Sequence, residues 1–210
     1  MSPKPNPIRI LTVDDHPLLR DGIAALVASQ SDMEVVGEAS DGLEALEKFR
    51  KHRPDITLMD LVMPKMKGVD AITAIRAEFP EARIIVLTTY TGDVQVLHAL
   101  KAGARAYLLK GLLRKELLET VRAVHTGRKC IPPEIAAQIA EHAGDEALSA
   151  REIDVLRLIA SGNANKQIAD QLSITEETVK GHVRNVLAKL SANDRTHAVT
   201  IGLKRGIIEL

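Results

Sequence analysis

The sequence predicts an α/β protein: a five-stranded parallel sheet, doubly wound by helices, followed by a C-terminal all-α domain of four helices. Three observations carry this. Short apolar runs alternate with segments of helical period from residue 8 to about 126. Four of those runs end on polar groups: Ile8-Arg9-Ile10-Leu11-Thr12-Val13 on Asp14-Asp15, Ile56-Thr57-Leu58-Met59 on Asp60, Ile84-Ile85-Val86-Leu87 on Thr88, and Ala106-Tyr107-Leu108-Leu109 on Lys110. From Ser149 onward the apolar pattern is wholly helical.

The elements follow in order. After the first strand, Leu19, Ile23, Leu26 and Val27 fall on one helical face. Met33 to Glu38 reads as a strand, and Leu43 to Phe49 as a helix. Pro54 precedes the strand ending at Asp60. A helix from about 67 to 78 stops before Pro80, because the residue before a proline avoids helical backbone. A strand over about 83 to 88 and a helix over about 93 to 102 follow, with Gly103 suited to the C-cap. The fifth strand covers about 105 to 109, and its helix carries Leu113, Leu117, Val121 and Val124. Strand and helix alternating at this spacing imply right-handed crossovers and a sheet covered on both faces. Residues 1–126 form this first domain.

Residues 127–147 read as a linker: Gly127, Pro132-Pro133 and Gly144-Asp145 are breakers, with a short helix between Pro133 and His142. Residues 148–210 form the second domain. Ser149-Ala150-Arg151-Glu152 is a capping box, Val155, Leu156 and Ile159 continue its helix, and Gly162 ends it. A second helix covers about 165 to 172. Thr175 caps the third, with Glu176 and Glu177 in the first turn, where the helix dipole favours negative charge. Asp194 or Asn193 caps the fourth, which runs to about Lys204.

Composition narrows the function. Lys plus Arg and Asp plus Glu both total 28, so global charge announces no nucleic-acid partner and local charge must carry that argument. Cys130 is the single cysteine, which excludes an internal disulfide and suits a reduced, cytoplasmic compartment. No apolar run approaches the roughly 20 residues of a membrane span, and the Pro-rich segment from Met1 to Pro7 has no signal-peptide character. Two Phe, two Tyr and no Trp argue against a stacking platform for single-stranded nucleic acid.

The carboxyl edge of a parallel sheet is where ligands bind. The strand ends would gather Asp14, Asp15, Asp60, Thr88 and Lys110 there. Ionised acids a few ångströms apart need a compensating cation, and Mg²⁺, a hard ion that keeps room for water and a phosphate oxygen, suits them. Asp60 is then the nucleophile toward a phosphoryl donor, Lys110 neutralises charge on the phosphoryl oxygens, and Thr88 donates a hydrogen bond to one of them. Val62 and Tyr90 are bulky and flank the route of water to the product, which predicts self-dephosphorylation over minutes or longer.

In the second domain, Val179, Val183, Val186, Leu187 and Leu190 form one apolar stripe. The opposite face presents Glu177, Gly181, Arg184, Asn185 and Ala188, with Lys180 and Lys189 on its flanks. Gly181 costs a helix interior roughly 1 kcal/mol relative to Ala, which close approach to a groove floor would justify. Arg184 and Lys180 can reach phosphates or guanine, and Asn185 can pair with adenine; Glu177 repels phosphate but can accept from cytosine.

Residues 8 to 126 resemble the receiver domain of two-component response regulators, through Asp14-Asp15, Asp60-x-x-Met63-Pro64-x-x-x-Gly68, Thr88 and Tyr107-x-x-Lys110. Residues 147 to 210 resemble the LuxR-type helix-turn-helix of the NarL/FixJ regulators. The matching residues are Leu148-Ser149-x-Arg151-Glu152, Asn165-Lys166-x-Ile168-Ala169 and Thr178-Val179-Lys180-x-His182-Val183-x-Asn185-Val186-Leu187. The first resemblance implies a flavodoxin-like fold and phosphorylation of Asp60 by a cognate histidine kinase. It also implies metal on Asp15, Asp60 and the Val62 carbonyl, Asp14 acting through water, and Thr88 with Tyr107 as a switch pair. The second implies a recognition helix over 175–190 in the major groove of a double-stranded operator, with Asn165 and Lys166 on phosphates and Thr178, Lys180, Gly181, Arg184 and Asn185 along the DNA face. Many relatives carry a side chain where this chain has Gly181, which shifts base reading toward Arg184 and Lys180. His182 reads as a packing or phosphate-flanking residue. A homodimer on paired half-sites is expected, with Ala198, Ile201 and Leu203 offering a partner face.

The sequence thus predicts a phosphorylation-controlled transcription factor rather than an enzyme. Two alternatives stand beside it: a DNA-binding regulator worked by protein contacts without phosphate, and a phosphatase using Asp60. The second lacks an acid just beyond the nucleophile, where Val62 stands and can supply no proton.

Overall fold

The computed structural model describes residues 6–89, 92–142 and 144–208. Tyr90 lies outside them, so the expected obstruction of water by its ring is not part of this description. The chain divides into two compact units, the first containing the sheet and the second the C-terminal helices.

In the first unit, β1 (Ile8–Val13), β2 (Met33–Ala39), β3 (Ile56–Asp60), β4 (Ile84–Thr88) and β5 (Ala106–Leu109) alternate with α1 (Pro17–Ala28), α2 (Gly42–His52), α3 (Gly68–Glu78), α4 (Asp93–Lys101) and α5 (Leu113–His125). A 3₁₀ turn over Lys110–Leu112 joins β5 to α5. The sheet is parallel, in the order β2-β1-β3-β4-β5. This is the flavodoxin-like order, with its switch point between β1 and β3. Every residue of β3 and β4 is buried, as a sheet covered on both faces requires.

Period-two alternation sorts the strands' side chains. Ile8, Ile10, Ile56, Leu58, Ile85, Leu87, Ala106 and Leu108 share one core with Ile23 and Val27 of α1 and Leu113, Leu117, Val121 and Val124 of α5. On the other side α2 packs on β2 and α3. Phe49 and Phe79 stack at 5.0 Å, and the Arg53 guanidinium caps the Phe79 ring at 4.0 Å. Beyond α5, Cys130 makes a single parallel bridge to Ala106 on the outer edge of β5. Tyr107 N–H donates to Cys130 O, and Cys130 N–H donates to Arg105 O, each at 3.0 Å. The linker therefore has two ordered pieces, this bridge and α6 (Pro133–Glu141), where the sequence showed one.

The second unit packs α7 (Ala150–Ala160), α8 (Asn165–Leu172), α9 (Glu176–Lys189) and α10 (Arg195–Lys204). The expected capping box is present: Ser149 Oγ accepts from Glu152 N–H while Glu152 Oε2 accepts from Ser149 N–H. Thr175 caps α9, and Asp194, not Asn193, caps α10 by accepting from His197 N–H at 2.8 Å. Val155, Ile159, Ile168, Ala169 and Val179 form one core cluster, and Leu156, Val186, Leu190, Ala198 and Ile208 a second. Ala198 is thus a core residue, and Ile201 and Leu203 pack partly buried against the same cluster. Of the expected partner face, Ala198 is therefore withdrawn, while Ile201 and Leu203 keep intermediate exposure; the exposed residues of α10 include Thr196, Thr200 and Lys204.

Candidate functional site

The strand ends do converge. Asp60 closes β3 and Thr88 closes β4, while Asp14 follows β1 and Lys110 follows β5. Asp14 and Asp60 are 1% and 3% exposed. Lys110 Nζ lies 2.8 Å from Asp60 Oδ2 and 2.7 Å from Asp14 Oδ2. Toward Asp60 it is an aligned hydrogen bond; toward Asp14 it is an ion-pair contact without that alignment. Burial pushes the Asp60 carboxyl up from its ordinary value, with Lys110 opposing and the Asp14 charge adding to the rise. Burial pulls the Lys110 ammonium down, but its close contacts with the Asp14 and Asp60 carboxylates outweigh this and hold it above the ordinary value.

Asp14, Asp15, His16 and Asp60 each offer a ligand atom within 4.8 Å of the others. Two carboxylates at that distance repel by roughly 3.5 kcal/mol at an effective dielectric of 20, so one ammonium among three acids leaves negative charge over. Asp15 Oδ1 is buried without a hydrogen-bond partner, although His16 Nδ1 stands 2.7 Å away. An orphaned oxygen in a set of hard oxygen donors fits Mg²⁺. Asp15, Asp60 and the Val62 carbonyl could hold it, with Asp14 acting through water. Val62 lies in the loop leaving Asp60, and its N–H reaches Asp60 Oδ1 at 3.4 Å. That loop closes tightly. Gly68 N–H donates to Leu61 O at 3.0 Å, and a Cβ at Gly68 would stand 2.0 Å from the Asp60 carbonyl. Only glycine fits there, which accounts for Gly68 at the end of the loop.

Thr88 and Tyr107 are each 1% exposed and share a hydrogen bond between their hydroxyls. Burial pushes the Tyr107 phenol up to about 12, so it stays neutral.

Sequence reasoning missed three supports of the pocket. His16 Nδ1 stands 3.1 Å from Asp14 Oδ1 as well as 2.7 Å from Asp15; its place beside the acid pair was the available signal. Arg20 donates to the Asp14 carbonyl at 2.6 Å and reaches Glu38 at 3.3 Å. Lys65 meets the buried Asp41 at 2.6 Å. Arg20 to Glu38 and Lys65 to Asp41 join separate elements and leave no mark on local pattern.

In the helical unit, α9 buries Val179 and Val186 and exposes Glu177, Thr178, Lys180, Arg184, Asn185 and Ala188. A Cβ at Gly181 would meet nothing within 4 Å, so packing inside the protein does not require glycine there. Lys180 Nζ lies 3.4 Å from Glu177 Oε2 on the surface, a pairing worth little in water. Lys189 departs from expectation. It is not a flank of the exposed face but an internal tie, 3.0 Å from both Glu152 and Glu146, with its side chain 17% exposed. Asn165 and Lys166 open α8, whose N-cap Ala164 supplies no side-chain acceptor, so amides at that end face outward. His182 is half-buried and joins no group of metal ligands among the described residues.

A buried acid pocket on a flavodoxin-like sheet, followed by a helix-turn-helix, defines the class of receiver-bearing transcription regulators. The comparisons with known proteins agree. The response regulator receiver domain model matches residues 10–122, and the model of bacterial regulatory proteins of the luxR family matches residues 146–201. The response regulator protein VraR of Staphylococcus aureus is 39% identical over 207 residues, covering 96% of this chain and 99% of the relative. Among solved structures, the response regulator ChrA of a heme-sensing two-component system is 35% identical, with a TM-score of 0.57 over 97% of this chain and 100% of that one. RcsB of Salmonella enterica serovar Typhimurium, bound to a promoter in the presence of the phosphomimetic BeF₃⁻, is 26% identical with a TM-score of 0.72, covering 96% and 100%. The chain belongs to the LuxR/NarL family of two-component response regulators, which regulate transcription through a DNA-binding helix-turn-helix.

Proposed function

We propose that a cognate histidine kinase phosphorylates this regulator on Asp60 with Mg²⁺, and that the phosphoryl group controls dimerisation and sequence-specific binding to double-stranded DNA. The observation that carries this is the meeting of Lys110 with Asp60 and Asp14 at 2.8 and 2.7 Å. A carboxylate oxygen of Asp60 attacks phosphorus, the phosphorus–nitrogen bond of phosphohistidine breaks, and its electron pair stays on the kinase imidazole. Mg²⁺, when bound, would neutralise charge on the phosphoryl oxygens. Lys110 turns its ammonium from Asp60 to one of those oxygens, and Thr88 donates to another. In turning to the phosphate, Thr88 changes its bond with Tyr107, which links the pocket to β5. A small phosphodonor would serve in place of the kinase. Self-dephosphorylation is slow, taking minutes or longer, since Val62 stands half-exposed beside the pocket.

In this reading residues 1–126 are the receiver, 127–147 the linker and 148–210 the DNA-binding domain, in a cytoplasmic protein. Among the described residues no helix is long and apolar enough to cross a membrane. Helix α9 enters the major groove, where Arg184, Lys180 and Asn185 read bases or phosphates, Thr178 and Gly181 allow close approach, and Asn165 and Lys166 hold phosphates. The structure of RcsB on promoter DNA supports a DNA partner. The test is operator affinity and oligomeric state with and without beryllofluoride plus Mg²⁺. Tighter binding and a larger dimer fraction are expected; no difference would favour a regulator worked without phosphate.

A further inference from the structure

One buried carboxylate has no part in the proposed transfer. Asp41, 1% exposed, stands between β2 and α2, and its two oxygens have separate partners. Oδ1 accepts from the N–H groups of Leu43 and Glu44 at 2.9 and 3.0 Å, capping α2. Oδ2 meets Lys65 Nζ at 2.6 Å. Lys65 sits in the loop from Asp60 to α3 with φ of 59°, left-handed backbone that a non-glycine residue adopts only when its surroundings demand it. The same loop is held at two further points. Gly42 N–H donates to Met66 O at 3.1 Å and Gly68 N–H to Leu61 O at 3.0 Å. A Cβ at Gly42 would fall 2.6 Å from Met66 Cγ, so the loop lies directly on the start of α2.

We infer that the Asp41–Lys65 ion pair positions the metal site, by fixing the loop that carries the Val62 carbonyl. The inference rests on the proposal that Asp60 and that carbonyl hold Mg²⁺. An ion pair between two solvated side chains would contribute little. This one differs because the Asp41 carboxylate is buried and its other oxygen is already held by α2, so one end of the tie cannot wander. Asp41 and Lys65 are positioning residues. They touch no reacting group, and they set the geometry in which the carbonyl meets the cation, as partners of ligands do in metal sites generally.

The test is Mg²⁺ affinity by calorimetry on the full chain, with thermal melting and Mg²⁺-dependent labelling by acetyl phosphate alongside. Lys65→Met removes the charge from a largely exposed side chain. Asp41→Ser removes it while keeping a capping hydroxyl. Each is expected to weaken Mg²⁺ binding about tenfold, the double variant no further than either single one, and Lys65→Arg to retain affinity. Labelling at saturating Mg²⁺ should stay at the wild-type rate. Unchanged Mg²⁺ affinity in both single variants, beside a wild type that binds, would overturn the inference and leave the phosphoacceptor reading intact. Additive losses that track a falling melting temperature would also overturn it, as the pair would then serve stability alone. A wild type that binds no Mg²⁺ would remove the phosphoacceptor reading and this inference together.

Discussion

Lys110 Nζ donates to Asp60 Oδ2 at 2.8 Å, joining residues 50 positions apart in sequence. Removing either partner should have opposite effects on stability. Lys110→Met leaves Asp14 and Asp60 buried and facing each other without a cation. The expected loss is about 3 kcal/mol at pH 7, by analogy with broken buried pairs. Denaturant melts should show the loss shrinking as pH falls and Asp60 protonates, and shrinking again with Mg²⁺. The stabilisation supplied by Lys110 itself is present below the ordinary lysine value, because its folded value is raised, and fades as pH rises through that folded value.

Asp60→Asn should stabilise. The folded Asp60 carboxyl is raised above its unfolded value, so its ionised form opposes folding, and stability falls as pH climbs from the unfolded value through the folded one. The neutral amide escapes that cost and leaves Lys110 paired with Asp14 alone. A gain on the order of 1 kcal/mol at pH 7 without Mg²⁺ is expected, or about 4 °C in melting temperature. Mg²⁺ should raise the melting temperature of the wild type more than that of the variant. A clear drop in stability for Asp60→Asn would contradict this electrostatic description.

Gly181 and Arg184 separate folding from recognition. Gly181→Ala has room for its Cβ and should stabilise α9 by roughly 0.5–1 kcal/mol. The same methyl should weaken operator binding if the helix lies on a groove floor. Arg184→Ala should weaken binding and, if Arg184 reads a base, relax one operator position by about 1–3 kcal/mol. Fluorescence anisotropy with operator and scrambled duplexes measures both. Unchanged affinity in both variants would move the reading surface elsewhere.

Much of this was legible in the sequence, for a physical reason. An apolar run that ends on a polar residue is a local signal, and parallel topology then forces Asp14, Asp60, Thr88 and Lys110 to one edge without further information. The caps at Ser149 and Thr175 were equally local. What stayed hidden depends on contacts between distant segments. Arg20 on Glu38 and Lys65 on Asp41 have no periodicity to betray them. The bridge from Cys130 to Ala106 is a single pairing, too short to show alternation. On α10, helical spacing alone could not say that Ala198 turns into the domain core while Ile201 and Leu203 stay partly exposed beside it.

Lys189 shows how a flank residue can be misassigned. Its ammonium is held by Glu152 and Glu146. Burial works to raise the Glu152 carboxyl, but the Ser149 N–H and Lys189 outweigh it and hold the group below its ordinary value. That stabilisation is present above the unfolded value and is lost as pH falls through the folded one. Lys189→Met should therefore lower stability at pH 7 and leave the salt dependence of DNA binding unchanged. Lys166→Ala should do the reverse, lowering the salt slope by about one with the fold intact. A reduced salt slope for Lys189→Met would return that residue to the DNA face.

The central claim is that Asp60 accepts a phosphoryl group and thereby changes DNA binding. Its most direct test is to expose the purified chain to a labelled small phosphodonor, with and without Mg²⁺, and to measure operator affinity before and after. Mg²⁺-dependent incorporation on Asp60, none in Asp60→Asn, and tighter operator binding by the labelled wild type are expected. Label retained by Asp60→Asn, or an operator affinity indifferent to labelling, would contradict it.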